Sequence, residues 1–272
     1  MELVRRSLVT SREQARALIS SGRVLVGGAP ADKPSRLVDA GEAIRLLGDG
    51  PRYVSRGGDK LEAALEGFGL DVTGWRLLDA GASTGGFTDC LLQRGAARVV
   101  AVDVGYGQLH ERLRHDPRVE VIERTNVRYA DPAALGAPFD AVVADLSFIS
   151  LRTVARTLVT CTAPGGVLVL LVKPQFEAGR VEADRGRGVI RDPSVWRRVL
   201  EDVIAAFAER GAIIMGAMVS PLPGAEGNVE FFVWLHAATS LPGANRFGEV
   251  ACHPDGIDLD RVIADAARLR SS

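Results

Sequence analysis

Apolar positions recur in two rhythms along this chain. From residue 55 onward, short apolar runs alternate with segments whose apolar residues repeat at helical spacing. The runs RLLDAG, RVVAVDV, VEVIE, FDAVVADLSF and GVLVLLVKP read as strands, and stretches near 86–95, 107–115, 150–161 and 193–210 read as helices. Strands apolar throughout, each followed by an amphipathic helix, indicate a parallel sheet covered on both faces. DKLEAALEGFG opens this region as a helix with Leu61, Ala64, Leu65 and Phe68 on one side. The last two strands, AIIMGAMVS and VEFFVWLHA, are joined by a Pro/Gly-rich connection too short for a crossover helix, so they pair antiparallel. DLDRVIADAARLR supplies a closing helix.

The first 47 residues follow a different pattern. SREQARALISS predicts a short helix with Ser11 as its N-cap and Ala15, Leu18 and Ile19 on one face, ended by Gly22. RVLVGG and EAIRLL read as short strands. GDGPR has the composition of a connector. The expected division is therefore a small α+β module at 1–47, a linker at 48–54 and a large α/β domain at 55–272.

Charge sharpens that division. Residues 1–60 carry 11 Lys/Arg against 7 Asp/Glu, whereas the remainder carries 22 against 27. A basic module on an acidic body suits a polyanionic partner. Arg5, Arg6, Arg12, Arg16 and Arg23 supply the cations for phosphate contacts. No apolar run approaches the roughly 18 residues needed to cross a bilayer, and MELVRRSLVTSREQ is too charged for a signal peptide. Cys90, Cys161 and Cys252 lie far apart without metal-ligand spacing, as do the four histidines. No metal site is expected, and a reducing cytoplasm is the expected compartment.

Candidate chemistry begins at LLDAGASTGGF, where a strand runs into a loop holding Gly81, Gly85 and Gly86. No lysine follows as a P-loop requires. Ser83 stands where a dinucleotide fingerprint places the glycine that admits a pyrophosphate. Asp79 beside the loop disfavours a phosphate and suits a cationic ligand, such as the amino-acid end of S-adenosylmethionine. Asp103 ends the next strand, where an acid can accept ribose hydroxyls. These features and the terminal hairpin predict a doubly wound, Rossmann-like, seven-stranded sheet of the class I S-adenosylmethionine-dependent methyltransferase type.

Methyl transfer to oxygen needs a base. Lys60 and Lys173 are the only lysines after the linker. Lys173 follows the most apolar strand, at the end where doubly wound sheets bind ligands. Asp145 ends a neighbouring strand, and Glu230 opens the last one. A lysine held near a second cation loses its proton more readily, and flanking carboxylates would hold it in place. Lys60, Asp145, Lys173 and Glu230 are the expected catalytic group.

SRGGDKL, DAGASTGGFTDCLL, DVGYGQL, ERTNVR, VVADLSFISL, LVKPQFE and PLPGAEGNVEFF together resemble the TlyA family of ribosomal RNA 2′-O-methyltransferases, some of which bear the name haemolysin. The resemblance runs nearly end to end. It implies an S4-like RNA-binding module joined to an FtsJ-like methyltransferase domain, and a Lys-Asp-Lys-Glu tetrad falling on the four residues above. It implies cofactor contacts from Asp79, Gly81, Ala82, Ser83, Thr84, Gly85, Gly86, Phe87, Asp103, Asn126 and Asp145. RNA contacts are expected from the basic module together with Arg56, Arg185 and Arg187. The implied substrate is a cytidine 2′-hydroxyl in the 50S subunit and, in some members, also in the 30S subunit. The modification is linked to capreomycin and viomycin susceptibility. The start at MELVRR lacks the basic run that opens the family's S4 module, as in members acting on the large subunit alone; a start-site effect would read the same.

FEAGRVEADRGRGVIRD brings Arg180, Arg185, Arg187 and Arg191 after Lys173, and reads either as an arm over RNA or as an ordinary loop. Phe148 and Phe176 flank the site, and either could stack on a flipped base. Core packing is the preferred reading for Phe148, and for Trp196 and Trp234. Three rivals remain at this point, one of them a dehydrogenase, which would bind NAD and not S-adenosylmethionine. A membrane-active cytolysin needs an amphipathic or apolar segment that the sequence lacks. An RNA-binding protein without catalysis does not need the intact tetrad.

Overall fold

A computed structural model describes residues 2–6, 8–9, 12–48, 51–179, 182, 186–238 and 257–271. The chain forms two compact units, Met1–Arg56 and Gly57–Ser272.

In the first unit, α1 (Glu2–Arg5) and α2 (Arg12–Ser20) accompany three short strands, β1 (Val24–Val26), β2 (Ala29–Pro30) and β3 (Ile44–Leu46). The strands form an antiparallel sheet in the order β2-β1-β3. Leu3, Val9, Ala15, Leu18, Val24, Val26 and Ala31 make its core. The predicted cap Ser11 lies outside the described residues, as does Cys252.

The second unit runs α3 (Arg56–Phe68), β4 (Arg76–Ala80), α4 (Gly86–Gln93), β5 (Arg98–Val102), α5 (Glu111–Arg114), β6 (Val119–Ile122) and β7 (Phe139–Ala144). It continues with α6 (Leu151–Cys161), β8 (Thr162–Val172), α7 (Pro174–Glu177), α8 (Pro193–Ala208), β9 (Ala212–Val219), β10 (Phe231–Ala237) and α9 (Leu259–Ser271). Its seven strands take the order β6-β5-β4-β7-β8-β10-β9. Only β10 runs against its neighbours, pairing antiparallel with both β8 and β9.

Both faces are covered because the strands carry apolar side chains on both sides. One face packs Val100, Val142, Leu168 and Val233 against Val154 and Leu158 of α6, Val199 and Phe207 of α8, and Ala266 of α9. On the other face Phe68 of α3 meets Trp234, and Phe87 of α4 stacks on Phe232. Trp196 is buried in the core and donates from Nε1 to the Ile190 carbonyl at 3.1 Å. The expected helix at 107–115 is shorter than its apolar spacing suggested. It is the single turn Glu111–Arg114, capped by the His110 side chain, because the preceding Gly105 and Gly107 are held in a loop by Asp103 and Glu123.

Candidate active site

The strand order reverses beside β4, and the loops after β4, β5, β6 and β7 gather there. In doubly wound sheets ligands bind at this crevice. A cleft of about 650 Å³ opens at the spot, lined among others by Gly81, Ser83, Asp103, Gln108, Thr125, Asn126, Asp145 and Ser147. Gly81 sits at φ +89°, and a Cβ there would lie 2.6 Å from the Asp145 carbonyl oxygen. Only glycine allows the two strand ends to approach so closely. Ser83 takes the left-handed conformation, and its N–H donates to Asp103 Oδ2 at 2.8 Å. The Gly105 N–H donates to Asp103 Oδ1 at 2.7 Å. Two backbone donors thus fix this carboxylate at the cleft wall, and each oxygen keeps a lone pair for a further donor.

The expected cofactor contacts divide in two. Gly81, Ser83, Asp103, Asn126 and Asp145 line the cleft. Phe87 does not: it is buried against Phe232, because the first turn of α4 points its apolar residues into the sheet. Asp79 is also wholly buried beneath the loop, where Oδ2 accepts from Thr88 Oγ1 at 2.6 Å and Oδ1 has no partner among the described residues. Burial pushes its pKa up to about 7, with the nearby charges of Asp145 and Asp103 adding to the rise.

The four expected catalytic residues arrive as two ion pairs. Glu230 and Lys173 directly flank the paired residues Phe231 and Val172, so the antiparallel register brings them to the same end of the sheet. Glu230, however, bonds to Lys60, with Nζ to Oε2 at 2.6 Å and both side chains buried. The tight turn before β10 seals this carboxylate, since a Cβ on Gly224 would lie 2.0 Å from Glu230 Oε1. Lys173 sits with Asp145, Nζ lying 2.5 Å from Oδ1. That contact lacks hydrogen-bond alignment. The aligned bond of Lys173 goes to Ser147 Oγ at 2.9 Å. The expectation that Glu230 flanks Lys173 directly is therefore corrected, because its carboxylate is taken by Lys60. Ser147 went unnoticed in the sequence, where a serine in a loop has no distinguishing spacing.

Phe148 is the second correction. It is 91% exposed, with φ +65°, and its ring lies 5.1 Å from that of Phe176. Asp145, Leu146 and Ser147 leave β7 for the cleft, and the left-handed backbone turns Phe148 out of the core. Glu177 fastens the far side of this loop, accepting from Ser150 Oγ at 2.5 Å and the Leu151 N–H at 2.6 Å. Burial raises the Glu177 pKa. Two more exposed aromatics stand at the strand ends near the cleft, with Arg124 4.2 Å over the Tyr106 ring and Arg128 5.3 Å from the Tyr129 ring. Isolated loop tyrosines carry no periodicity, so the pattern of the sequence did not mark them.

The expected RNA-contacting arginines also divide. Arg12 and Arg16 are exposed and, with Lys33 and Arg36, line a cavity of about 350 Å³ in the first unit. Arg6 donates to the carbonyls of Glu42, Asp39 and Ala40, and Arg23 to that of Leu47, so both hold the fold of the unit. Arg5 pairs with Glu2. Arg187 is exposed, Arg56 opens α3, and Arg180 and Arg185 lie outside the described residues. Among the described residues no group of His, Cys, Asp and Glu is placed to hold a metal ion, and no helix is long and apolar enough to cross a membrane.

Comparison with known proteins assigns both parts of the chain to known families. Residues 53–237 match the FtsJ-like methyltransferase family, and residues 2–44 match the S4 domain. A 16S/23S rRNA (cytidine-2′-O)-methyltransferase TlyA of Mycobacterium tuberculosis is 53% identical over 93% of this chain and 94% of its own length. A 23S rRNA (cytidine-2′-O)-methyltransferase TlyA of Campylobacter jejuni is 31% identical over 85% of this chain and 96% of its own. A solved structure from Streptococcus thermophilus, a hemolysin by name, is 39% identical and superimposes with a TM-score of 0.76, covering 97% of this chain and 93% of that one. Fold and site thus define an enzyme of the methyltransferase class, with a doubly wound FtsJ-like domain joined to an S4 domain. Within that class, the chain belongs to the TlyA family.

The fold implies a cofactor of the S-adenosylmethionine type. The residues at the cleft fit it: Asp103 presents free lone pairs for ribose hydroxyls, Asn126 lines the wall beyond β6, and Gly81 leaves the loop backbone open. Asp79, the acid expected to meet the cationic end of such a molecule, is sealed beneath the loop and does not line the cleft.

Proposed function

We propose that this chain methylates the 2′-hydroxyl of a cytidine in ribosomal RNA, with S-adenosylmethionine as donor. The observation that carries the reading is the Lys173–Asp145 pair at the edge of the cleft, with Lys60–Glu230 at the same end of the sheet. The substrate class comes from the relatives of the family, the large-subunit RNA being common to both TlyA relatives above. A ribosomal substrate places the enzyme in the cytoplasm.

Bound at the cleft, the cofactor supplies an activated methyl group. Asp103 and Asn126 would hold it, with Asp145 lining the cleft beside Lys173. Lys173 would take the proton of the 2′-hydroxyl, and the cofactor, once bound, would supply the methyl group that the freed oxygen accepts. Asp145 keeps Lys173 at the cleft. Lys60, held by Glu230, anchors the same end of the sheet. Exposed Phe148 and half-buried Phe176 form an aromatic step on which the flipped cytosine stacks, a contact worth about 1–3 kcal/mol. Tyr106 and Tyr129, each beside an arginine, offer further faces to unpaired bases. Arg12 and Arg16 with Lys33 give the S4 unit its phosphate contacts.

The test is methylation of separated, unmodified 30S and 50S subunits, with primer extension to locate the product. A 2′-O-methylcytidine in 50S RNA is the expected result. Incorporation into neither subunit, or only at a base atom, would overturn the reading.

A further inference from the structure

We propose that Ser147 is a positioning residue for the base: its hydroxyl takes up one N–H bond of Lys173, fixes the rotation of the amine, and so directs the lone pair of the base toward the cleft. This rests on the reading of Lys173 as the base. An ammonium group has three donors and no acceptor, whereas the neutral amine has two N–H bonds and one lone pair. An amine held by Asp145 alone can rotate about its Cε–Nζ bond and spread its lone pair over several directions. A second acceptor fixes the rotation. Ser147 Oγ lies 2.9 Å from Nζ in good alignment, whereas Asp145 Oδ1 lies at 2.5 Å without it, so Ser147 is the acceptor that sets the rotation.

The two acceptors are two residues apart on one loop, and that loop is fixed at both ends. At its start the Asp145 carbonyl is packed against Gly81. At its end Glu177 binds Ser150 Oγ and the Leu151 N–H. Glu177 also stands four residues after Lys173, at the end of α7. Base and acceptors are thus joined in one short circuit, from Lys173 along α7 to Glu177, across to Ser150, and back to Ser147. A displacement of about 1 Å in such a geometry costs as much as about 100-fold in rate.

Atoms and electrons balance along the step. The 2′-O–H bond breaks as a third N–H bond forms on Lys173. The oxygen electron pair forms the new bond to the methyl carbon, and the pair of the broken S–C bond returns to sulfur. Lys173 leaves the step as an ammonium. Ser147 is exposed at the cleft and continues to accept from Lys173 while the added proton departs to water.

The test compares Ser147→Ala and Ser147→Thr with the unaltered chain, using unmodified 50S subunits and S-adenosylmethionine. Ser147→Ala should lower kcat by about 10- to 100-fold while KM for the subunit, Kd for the cofactor and Tm stay essentially unchanged. Ser147→Thr, which keeps the hydroxyl, should recover most of the rate. Adding Ser147→Ala to a Lys173→Ala chain should cost nothing more, since no base remains to be aimed. An unchanged kcat in Ser147→Ala overturns the inference. So does a parallel loss of cofactor affinity and Tm, or failure of threonine to rescue. If instead Lys173→Ala alone retains normal turnover, the base assignment itself fails, whatever Ser147 does.

Discussion

Lys60 and Lys173 each face a carboxylate at the same end of the sheet, yet their surroundings differ. The Lys60–Glu230 pair is buried on both sides, aligned at 2.6 Å, and closed over by the turn at Gly224. The Lys173–Asp145 pair borders the cleft, lacks alignment, and shares its lysine with Ser147. In a buried, aligned pair each charge satisfies the other, and separating them is costly. The side chains of Lys60 and Lys173 are equally exposed, at 11%, so the difference lies in the carboxylates: Glu230 is sealed at 2% and Asp145 is 24% exposed. The same residue types therefore serve as an anchor in one corner and as a reagent in the other.

The comparison is broken most forcefully at the reagent. Lys173→Ala should lower methyl transfer by about 10³-fold or more, while S-adenosylmethionine still binds in calorimetry. Near-normal turnover would reverse the roles of the two pairs. At the anchor, Lys60→Met leaves Glu230 buried without its partner and should cost about 3–5 kcal/mol in urea unfolding. The double change Lys60→Met with Glu230→Leu should restore most of that stability without restoring methylation. If the single change leaves stability intact, the pair is no anchor.

Asp79 sharpens the contrast from beneath the cleft, being buried with no cation beside it. Its pKa is about 7 in the fold against 3.8 for an ordinary aspartate, so the folded chain holds the proton more tightly. The stability this gives is fully present below about pH 4 and is lost as pH rises through about 7. Asp79→Asn removes the dependence. Unfolding measured from pH 4 to 8 should show the variant gaining on the unaltered chain by about 4 kcal/mol in all. A constant difference would mean that Asp79 does not titrate there. The smallest effect is expected at Phe148, which packs against little besides Phe176. Phe148→Ala should change stability by less than about 0.5 kcal/mol and weaken productive RNA binding by about 1–2 kcal/mol, read as a rise in KM for the subunit. A fall in Tm with KM unchanged would assign Phe148 to packing.

The strand and helix order was legible because both faces of the sheet are covered, which leaves continuous apolar runs such as VLVLLV. The terminal hairpin was legible because 220–229 is too short for a crossover helix. Asp103 could be placed because a strand end at a glycine loop has one geometric role. Phe87 and Phe148 misled for opposite reasons. Phe87 follows the glycines but sits on the inward face of α4, and Phe148 follows an apolar strand but takes a left-handed turn.

By itself, then, the sequence determined the alternation of strands and helices, the glycine loop with its acids, and the presence of two lysines and two carboxylates at strand and helix ends. Local periodicity and backbone sterics are enough for these, since each depends on neighbours a few residues away. Only the tertiary structure decided that Glu230 serves Lys60 across 170 residues, that Ser147 shares Lys173 with Asp145, and that Asp79 is sealed away while Phe148 stands in the open. Those choices follow from strand register, the close approach at Gly81 and Gly224, and competition among acceptors for one ammonium, all of which exist only once distant segments are brought together.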